Sequence, residues 1–208
     1  MENEIIGRRY IMKNILVLGS TGRIGRLLVP MLTGNDNEIT LFVRNPDKAR
    51  ELGLSENRLV QGDVTDTVSL SESMNGQDIV VAVLDGDLLA YAKSITAALK
   101  ENRIERVIWM TGMGIHHEVP GVTGKMLDML VKKMPQYVEA ADLIADSGTP
   151  YTLVRGAHLT DGKNDKYFVQ HEGEKLHSNK TDRIAVARFI ADIIESGNGV
   201  NESLGVTN

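Results

Sequence analysis

One stretch decides the fold of this chain: Lys13-Asn14-Ile15-Leu16-Val17-Leu18-Gly19-Ser20-Thr21-Gly22-Arg23-Ile24-Gly25. Its apolar part, Ile15 to Leu18, is short and branched, as in strands that are buried on both faces of a sheet. A helical apolar pattern begins at Ile24. Between them lie glycines spaced three residues apart, Gly19, Gly22 and Gly25. A strand, a glycine turn and a helix in this order predict a phosphate-binding turn, because free N–H groups at a helix N-terminus attract an anion.

Each glycine has a physical reason to be there. Gly19 permits a tight turn, Gly22 lets the backbone approach a ligand, and Gly25 lets the helix pack against the strand. The other interpretation is a structural glycine turn without a ligand. We favour a site for a dinucleotide pyrophosphate, because hydroxyls and a guanidinium between the glycines are good phosphate partners. The residues predicted to bind it are Gly19, Ser20, Thr21, Gly22, Arg23, Ile24 and Gly25.

Composition narrows the class of protein. The 208 residues are 42% hydrophobic and 25% charged, which is typical of a soluble globular domain, and we expect one domain over residues 12–208. A net charge of −5 argues against nucleic-acid binding. The absence of cysteine excludes disulfides and thiolate metal sites, and we predict no metal site. No apolar run approaches the roughly 20 residues that span a membrane, so we expect a cytoplasmic location. Residues 1–11 lack the apolar region of a signal peptide and are expected to be an N-terminal extension, the alternative being a misplaced start before Met12.

Apolar strand patterns alternate with helical patterns along the chain. This rhythm predicts an α/β fold with a doubly wound parallel sheet, whose ligand crevice lies beyond the carboxyl ends of the strands. Pro30 is expected to kink or shorten the first helix. The segment 112–124 is rich in glycine and histidine and is predicted to be a mobile loop over the crevice. The predicted strands cover residues 15–18, 38–43, 58–61, 78–84, 106–110, 151–154 and 166–170. The predicted helices cover residues 24–32, 46–52, 67–74, 87–100, 122–133, 135–146 and 181–195.

Arg44 bears on the choice of cofactor. It directly follows the second predicted strand, nineteen residues after Gly25. An acidic residue near this point would bind the ribose hydroxyl of NAD, whereas an arginine suits the 2′-phosphate of NADP. Lys48 would add a second positive charge. We therefore favour NADP over NAD, the alternative being a solvated surface arginine.

Several other strand ends face the same crevice. Asp63 is expected either to accept a hydrogen bond from the adenine amino group or to cap a turn. His158 follows the sixth strand and is a candidate proton donor, although a packed or solvated histidine is the commoner case. The adjacent His116 and His117 point in different directions and make a poor metal site. Val83, Leu84 and Asp85 are predicted to line the adenosine or ribose side, and Val64 is also predicted to bind the cofactor.

The same residues resemble the atypical short-chain dehydrogenase/reductase family, in its small NmrA-like, NAD(P)H-binding branch. The motif at 19–25 looks like that branch's Gly-x-Thr-Gly-x-x-Gly, and the segments Val43-Arg44, Gly62-Asp63-Val64 and Tyr151-Thr152-Leu153-Val154-Arg155 match as well. The resemblance implies a single seven-stranded Rossmann domain with small substrate-side loops and helices. It also implies that Thr111 lies near the nicotinamide. If the protein is an oxidoreductase, we expect Tyr137 to bind the nicotinamide ribose and Gly156, Ala157 and His158 to flank the reacting face.

One departure from the family concerns catalysis. Many short-chain reductases use a Tyr-x-x-x-Lys pair, but here Lys133 and Tyr137 hold these residue types in reverse order. On one helix the two would still share a face. Relatives that lack the pair are either similar to flavin reductase of the biliverdin-IXβ reductase type, which passes hydride to a planar acceptor, or similar to NmrA, a redox sensor that acts through a protein partner. We favour an NADPH-dependent oxidoreductase acting on a small flavin- or quinone-like molecule, with the non-catalytic sensor as the alternative.

Overall fold

The computed structural model describes residues 12–34 and 37–208, so the predicted N-terminal extension lies outside the described residues. Within those ranges the chain forms ten strands and seven helices. The strands are β1 (Asn14–Leu18), β2 (Glu38–Val43), β3 (Arg58–Gln61), β4 (Ile79–Ala82), β5 (Arg106–Gly112), β6 (Tyr151–Gly156), β7 (His158–Thr160), β8 (Phe168–Gln170), β9 (Lys180–Asp182) and β10 (Glu202–Thr207). The helices are α1 (Gly25–Thr33), α2 (Pro46–Glu51), α3 (Thr67–Met74), α4 (Leu88–Glu101), α5 (Gly121–Val131), α6 (Pro135–Ala145) and α7 (Arg183–Ser196).

Eight strands form one sheet in the order β3-β2-β1-β4-β5-β6-β10-β8. All neighbouring pairs are parallel except β10 with β8. The chain runs outward from β1 through β2 to β3 and then returns to the other side of β1 with β4. Ligands of doubly wound sheets bind where the strand order reverses in this way.

The two faces of the sheet are covered by separate apolar cores, because successive side chains of a strand point to opposite faces. Ile15 and Val17 belong to the core beneath α1 and α7, whereas Leu16 and Leu18 belong to the core beneath α3, α4 and α6. All four side chains are fully buried. The apolar run therefore forms a central strand, as its sequence predicts.

The C-terminal part differs from the prediction. The resemblance implied seven strands, but β10 adds a further one between β6 and β8. Its sequence, Glu-Ser-Leu-Gly-Val-Thr, has no continuous apolar run, and its alternation rests on Leu204 and Val206 alone, which is a weak strand signal. The short strands β7 and β9 form a separate two-stranded sheet.

Two further predictions concern helices and loops. Pro30 lies inside α1, which ends three residues later at Thr33. The prediction of a mobile loop at 112–124 was wrong, because Met113, Ile115 and Val119 are buried and α5 begins at Gly121.

Within the described ranges, no helix combines the length and the apolar character needed to cross a membrane.

Candidate functional site

A cleft of about 840 Å³ opens at the carboxyl ends of the parallel strands, beside the reversal of strand order at β1 and β4. It is lined by the glycine turn and by residues that follow β2 to β6. The sequence-predicted residues found in its wall are Gly19, Ser20, Thr21, Gly22, Arg23, Ile24, Arg44, Asp63, Val64, Val83, Leu84, Asp85, Thr111, Tyr137, Gly156 and Ala157.

The glycine turn is shaped by close backbone contacts. Gly19 has a φ of +88°, and a Cβ there would lie 2.5 Å from the carbonyl oxygen of Val83. Gly22 donates its N–H to the Gly19 carbonyl at 3.0 Å. Gly25 does not line the cleft, but a Cβ there would collide with the Gly19 carbonyl oxygen and the Ser20 Cα. Gly25 thus lets α1 pack against the turn, and the other residues of the turn form the surface that faces the ligand.

Two hydroxyl groups in the cleft wall are buried without a hydrogen-bond partner among the described residues. They are Ser20 Oγ in the glycine turn and Thr111 Oγ1 near the end of β5. The two residues are 0% and 5% exposed. Buried polar groups are normally hydrogen-bonded, so unpaired hydroxyls at two points of one cleft fit a polar ligand that spans both. The site thus suits an extended dinucleotide.

The far end of the cleft is basic. Arg44 and Lys48 line it, and the Asn45 side chain between them accepts the N–H groups of Asp47 and Lys48 at 3.0 and 3.2 Å. Asp63 caps a turn: its Oδ1 accepts the Thr65 amide at 2.9 Å and the Thr65 hydroxyl at 2.7 Å. These two bonds, with a smaller effect from Arg44, hold the pKa of the Asp63 carboxyl below its usual range. Of the two predicted roles for Asp63, the structure shows the cap.

His158 is not a cleft residue. Ala157 and Leu159 line the cleft, whereas His158 between them is exposed. Side chains alternate along extended chain, so the neighbours of an inward residue point away. The structure therefore contradicts the expectation that His158 lies at the mouth of the crevice as a proton donor.

Tyr137 and Lys133 are separated by a helix boundary. Tyr137 is half-buried in α6 and lines the cleft, whereas Lys133 is exposed in the turn that precedes α6. Pro135 starts the new helix, since proline has no N–H to continue the preceding one. The predicted helices 122–133 and 135–146 already have a break between the two residues, and the structure shows that break, so the reversed pair does not share one helical face.

The cleft wall also contains residues that the sequence analysis did not select. Some, such as Phe42 and Met110, lie at the ends of predicted strands. They could have been found by counting the last residues of each strand, and not only the residues that follow it, as part of the crevice. Arg183 begins α7 and carries no local motif, so no sequence signal connected it with the glycine turn. The added residues are Arg26, Phe42, Val43, Leu52, Gly62, Leu88, Tyr91, Met110, Gly112, Leu159 and Arg183.

The loop histidines contact carboxylates. His116 Nδ1 lies 3.0 Å from Glu172 and its Nε2 lies 3.0 Å from Asp142. Burial lowers the pKa of His116, but the two carboxylates outweigh burial and raise it above its ordinary value. His117 Nδ1 lies 2.8 Å from Asp128. Across the described ranges, no group of three or more such side chains is arranged to hold a metal ion.

Several known proteins are similar to this chain. A structure of a Rossmann-fold NAD(P)-binding family protein from Shigella flexneri superposes with a TM-score of 0.79 and 32% identity, covering 95% of this chain and 94% of that one. An NAD(P)H azoreductase from Xenophilus azovorans is 26% identical over 83% of this chain. Quinone oxidoreductase 2 of Escherichia coli (strain K12) is 24% identical over 71% of it. The matches cover only 61% and 49% of those two relatives.

The family model for NAD(P)H-binding proteins matches residues 19–197, which include the glycine turn, the other strand ends around the cleft and α7. The match therefore spans the site and most of the sheet. This chain belongs to the NAD(P)H-binding family of Rossmann-fold proteins.

Proposed function

We propose that this protein is an NADPH-dependent reductase that transfers hydride to a small planar acceptor, such as a flavin or a quinone. The observation that carries the proposal is the unpaired pair of buried hydroxyls, Ser20 Oγ and Thr111 Oγ1, in one cleft. Ser20 belongs to the phosphate end, and Thr111 lies at the end of β5, where the resemblance puts the nicotinamide. A dinucleotide bound along the cleft would give both hydroxyls a partner.

The charge of the cleft supports NADP as the cofactor. The protein has a net charge of −5, but basic side chains in the cleft wall outnumber acidic ones by five to two. Arg44 and Lys48 supply two of the positive charges at the end of β2, the position that distinguishes the two dinucleotides. A guanidinium and an ammonium together favour the additional 2′-phosphate of NADP.

The residues around the nicotinamide end orient groups and offer little proton transfer. Bound NADPH would supply the hydride, and the protein would supply binding and orientation. We assign Thr111 to the carboxamide, Tyr137 to the nicotinamide ribose, and Gly156 and Ala157 to the reacting face. Lys133 and His158 lie outside the cleft, so neither stands ready as a proton donor. A planar acceptor that is reduced with a proton from water fits such a site, and the relatives named azoreductase and quinone oxidoreductase point the same way.

The test is NADPH oxidation with a panel of flavins and quinones, followed by absorbance. Wild-type protein should reduce at least one acceptor faster than buffer does. Thr111→Val removes the unpaired hydroxyl at nearly constant volume and should lower turnover. Thr123→Val, on an exposed position of α5, is the matched control and should leave it unchanged. If every acceptor reacts at the rate in buffer while NADPH binds, the reductase proposal fails.

A second candidate, a redox sensor that acts through a protein partner, is favoured by one surface. Val122, Met126 and Met129 on α5 are 77%, 63% and 68% exposed and recur at helical spacing. Exposed apolar patches often mark interaction sites. A sensor should bind NADP⁺ and NADPH with different affinities and should reduce no acceptor. In the NADPH oxidation assay, this is the result that contradicts the reductase proposal.

A further inference from the structure

Asp161 lies between two arginines from distant parts of the chain. Its Oδ1 is 2.7 Å from Nη1 of Arg183, the first residue of α7. Its Oδ2 is 3.7 Å from Nη1 of Arg23 in the glycine turn. One carboxylate thus contacts a guanidinium from α7 and faces another that belongs to the phosphate-binding turn.

The segment that carries Asp161 is held in place by hydrogen bonds to the Asp182 carboxylate. The Asp182 carboxylate accepts the Thr160 hydroxyl through Oδ1 and the Asn164 N–H through Oδ2, the latter at 3.1 Å. A Cβ on Gly162 would collide with that same carboxylate. Residues 160–164 therefore curl around Asp182, and this curl directs Asp161 toward α7.

The side chains of the two arginines differ in exposure and in how closely they are paired with Asp161. The Arg183 side chain is 8% exposed and held tightly by Asp161, whereas the Arg23 side chain is 59% exposed and only loosely paired. Both line the cleft. The group of three carries one net positive charge, beside a helix N-terminus that also favours an anion. A buried arginine at a phosphate-binding turn, with a largely exposed carboxylate as its ion-pair partner, is placed to bind a phosphate oxygen.

We propose that Arg183 is a second pyrophosphate-binding residue, acting with Arg23, and that Asp161 competes with the bound phosphates for both guanidiniums. This inference rests on the proposed dinucleotide site. It concerns the pyrophosphate and leaves the 2′-phosphate to Arg44, because Arg23 is part of the glycine turn and Arg44 follows a different strand, β2. Asp161 then makes cofactor binding weaker than the arginines alone would allow.

Substitutions at the two partners should have opposite effects. Arg183→Gln should weaken binding of both NADP⁺ and NAD⁺ on the order of tenfold, as expected for loss of a charged hydrogen bond. Asp161→Asn breaks the same ion pair but keeps Arg183, and it should tighten binding of both dinucleotides and make it more sensitive to salt. Arg183→Lys keeps the charge and should lose less affinity than the glutamine variant. Isothermal titration at several salt concentrations measures each constant, and thermal unfolding confirms that each variant is folded.

Adenosine 2′-monophosphate, which has no pyrophosphate, separates this site from that of Arg44. Its affinity should be unchanged in Arg183→Gln and reduced in Arg44→Ala. If Arg183→Gln binds NADP⁺ and NAD⁺ like the wild type, or if both Asp161→Asn and Arg183→Gln weaken binding equally, Arg183 is a structural partner of Asp161 and the inference is overturned. Wild-type protein that binds neither dinucleotide would overturn the proposed function itself, and the inference with it.

Discussion

Replacing Glu118 by glutamine tests the most deeply buried ion pair next to the cleft. Glu118 and Arg155 each have side chains that are 1% exposed, and Glu118 Oε1 lies 2.5 Å from Arg155 Nη1. The same carboxylate accepts the N–H of Gly114 at 2.7 Å and that of His116 at 3.0 Å. Glutamine would leave the Arg155 charge without its counter-ion and would turn one acceptor into an NH₂ group. Removing one partner of a buried pair costs about 3–5 kcal/mol, so we expect Glu118→Gln to lower the free energy of unfolding by about that amount.

Denaturant unfolding at neutral pH measures this loss, and Glu139→Gln on the exposed side of α6 is the control, expected within about 0.5 kcal/mol of wild type. The pH dependence adds a second readout. Burial raises the pKa of Glu118, but Arg155 and the amides of Gly114 and His116 outweigh burial and lower it. The contribution of Glu118 is therefore present above the ordinary carboxyl pKa and is lost as the pH falls through the lowered folded-state pKa. Wild type should lose more stability than Glu118→Gln on acidification. A cost below about 1 kcal/mol at neutral pH would refute the reasoning, because it would mean that water or other groups already satisfy Arg155.

The remaining predictions concern the cleft and its surroundings. Arg44→Ala should weaken NADP⁺ binding by a factor on the order of ten or more while sparing NAD⁺, as measured by titration calorimetry; equal losses would remove the reason to favour NADP. Gly19→Ala should destabilise the fold and abolish NADPH binding, whereas Gly53→Ala, which has a similar positive φ but no atom within 4 Å of its added Cβ, should show only the backbone cost of about 1–2 kcal/mol. Comparable losses in the two alanine variants would contradict the close contact with Val83. Tyr137→Phe should reduce turnover or cofactor affinity, and unchanged values would leave Tyr137 as a packing residue. His116→Gln should flatten the dependence of unfolding free energy on pH above 6.5, because the carboxylates of Glu172 and Asp142 raise the pKa of His116 against the opposing effect of burial, so that its contribution is complete below 6.5 and is lost as the pH rises through the raised value. A wild-type stability curve as flat as that of the variant would show that the two carboxylates do not hold the charged imidazole.

The first half of the sheet could be predicted from the sequence because each of its signals is local. The bounds of β2, β3 and α3 agree with the predicted ones residue for residue, and Asn45, Asp66 and Asp87 accept N–H groups at the starts of α2, α3 and α4. Caps, glycine turns and short apolar runs depend on neighbours a few residues away. The residues at and after the predicted strand ends then accounted for most of the cleft wall, although no side-chain contact was known.

The wrong predictions share a cause, which is dependence on distant contacts. The glycine- and histidine-rich segment at 112–124 reads as a loop, but it is packed because Glu118 pairs with Arg155, 37 residues away. His158 comes after the end of β6, where crevice residues are expected, but the pairing of β7 with β9 turns it out of the cleft.

The C-terminal third, which gave the weakest sequence signals, completes the site that the glycine turn begins. β10 pairs with β6 and brings the Ser203 carbonyl within 3.1 Å of Arg155, so that the buried guanidinium supports the segment that follows Thr111. α7 packs against α1, and this contact places Arg183 beside a turn more than 150 residues earlier in the chain. A glycine motif thus predicts that a phosphate binds, whereas the strength of that binding depends on charges brought in by the closing strand and helix. Variants in α7 should therefore change cofactor affinity even though no nucleotide motif passes through them.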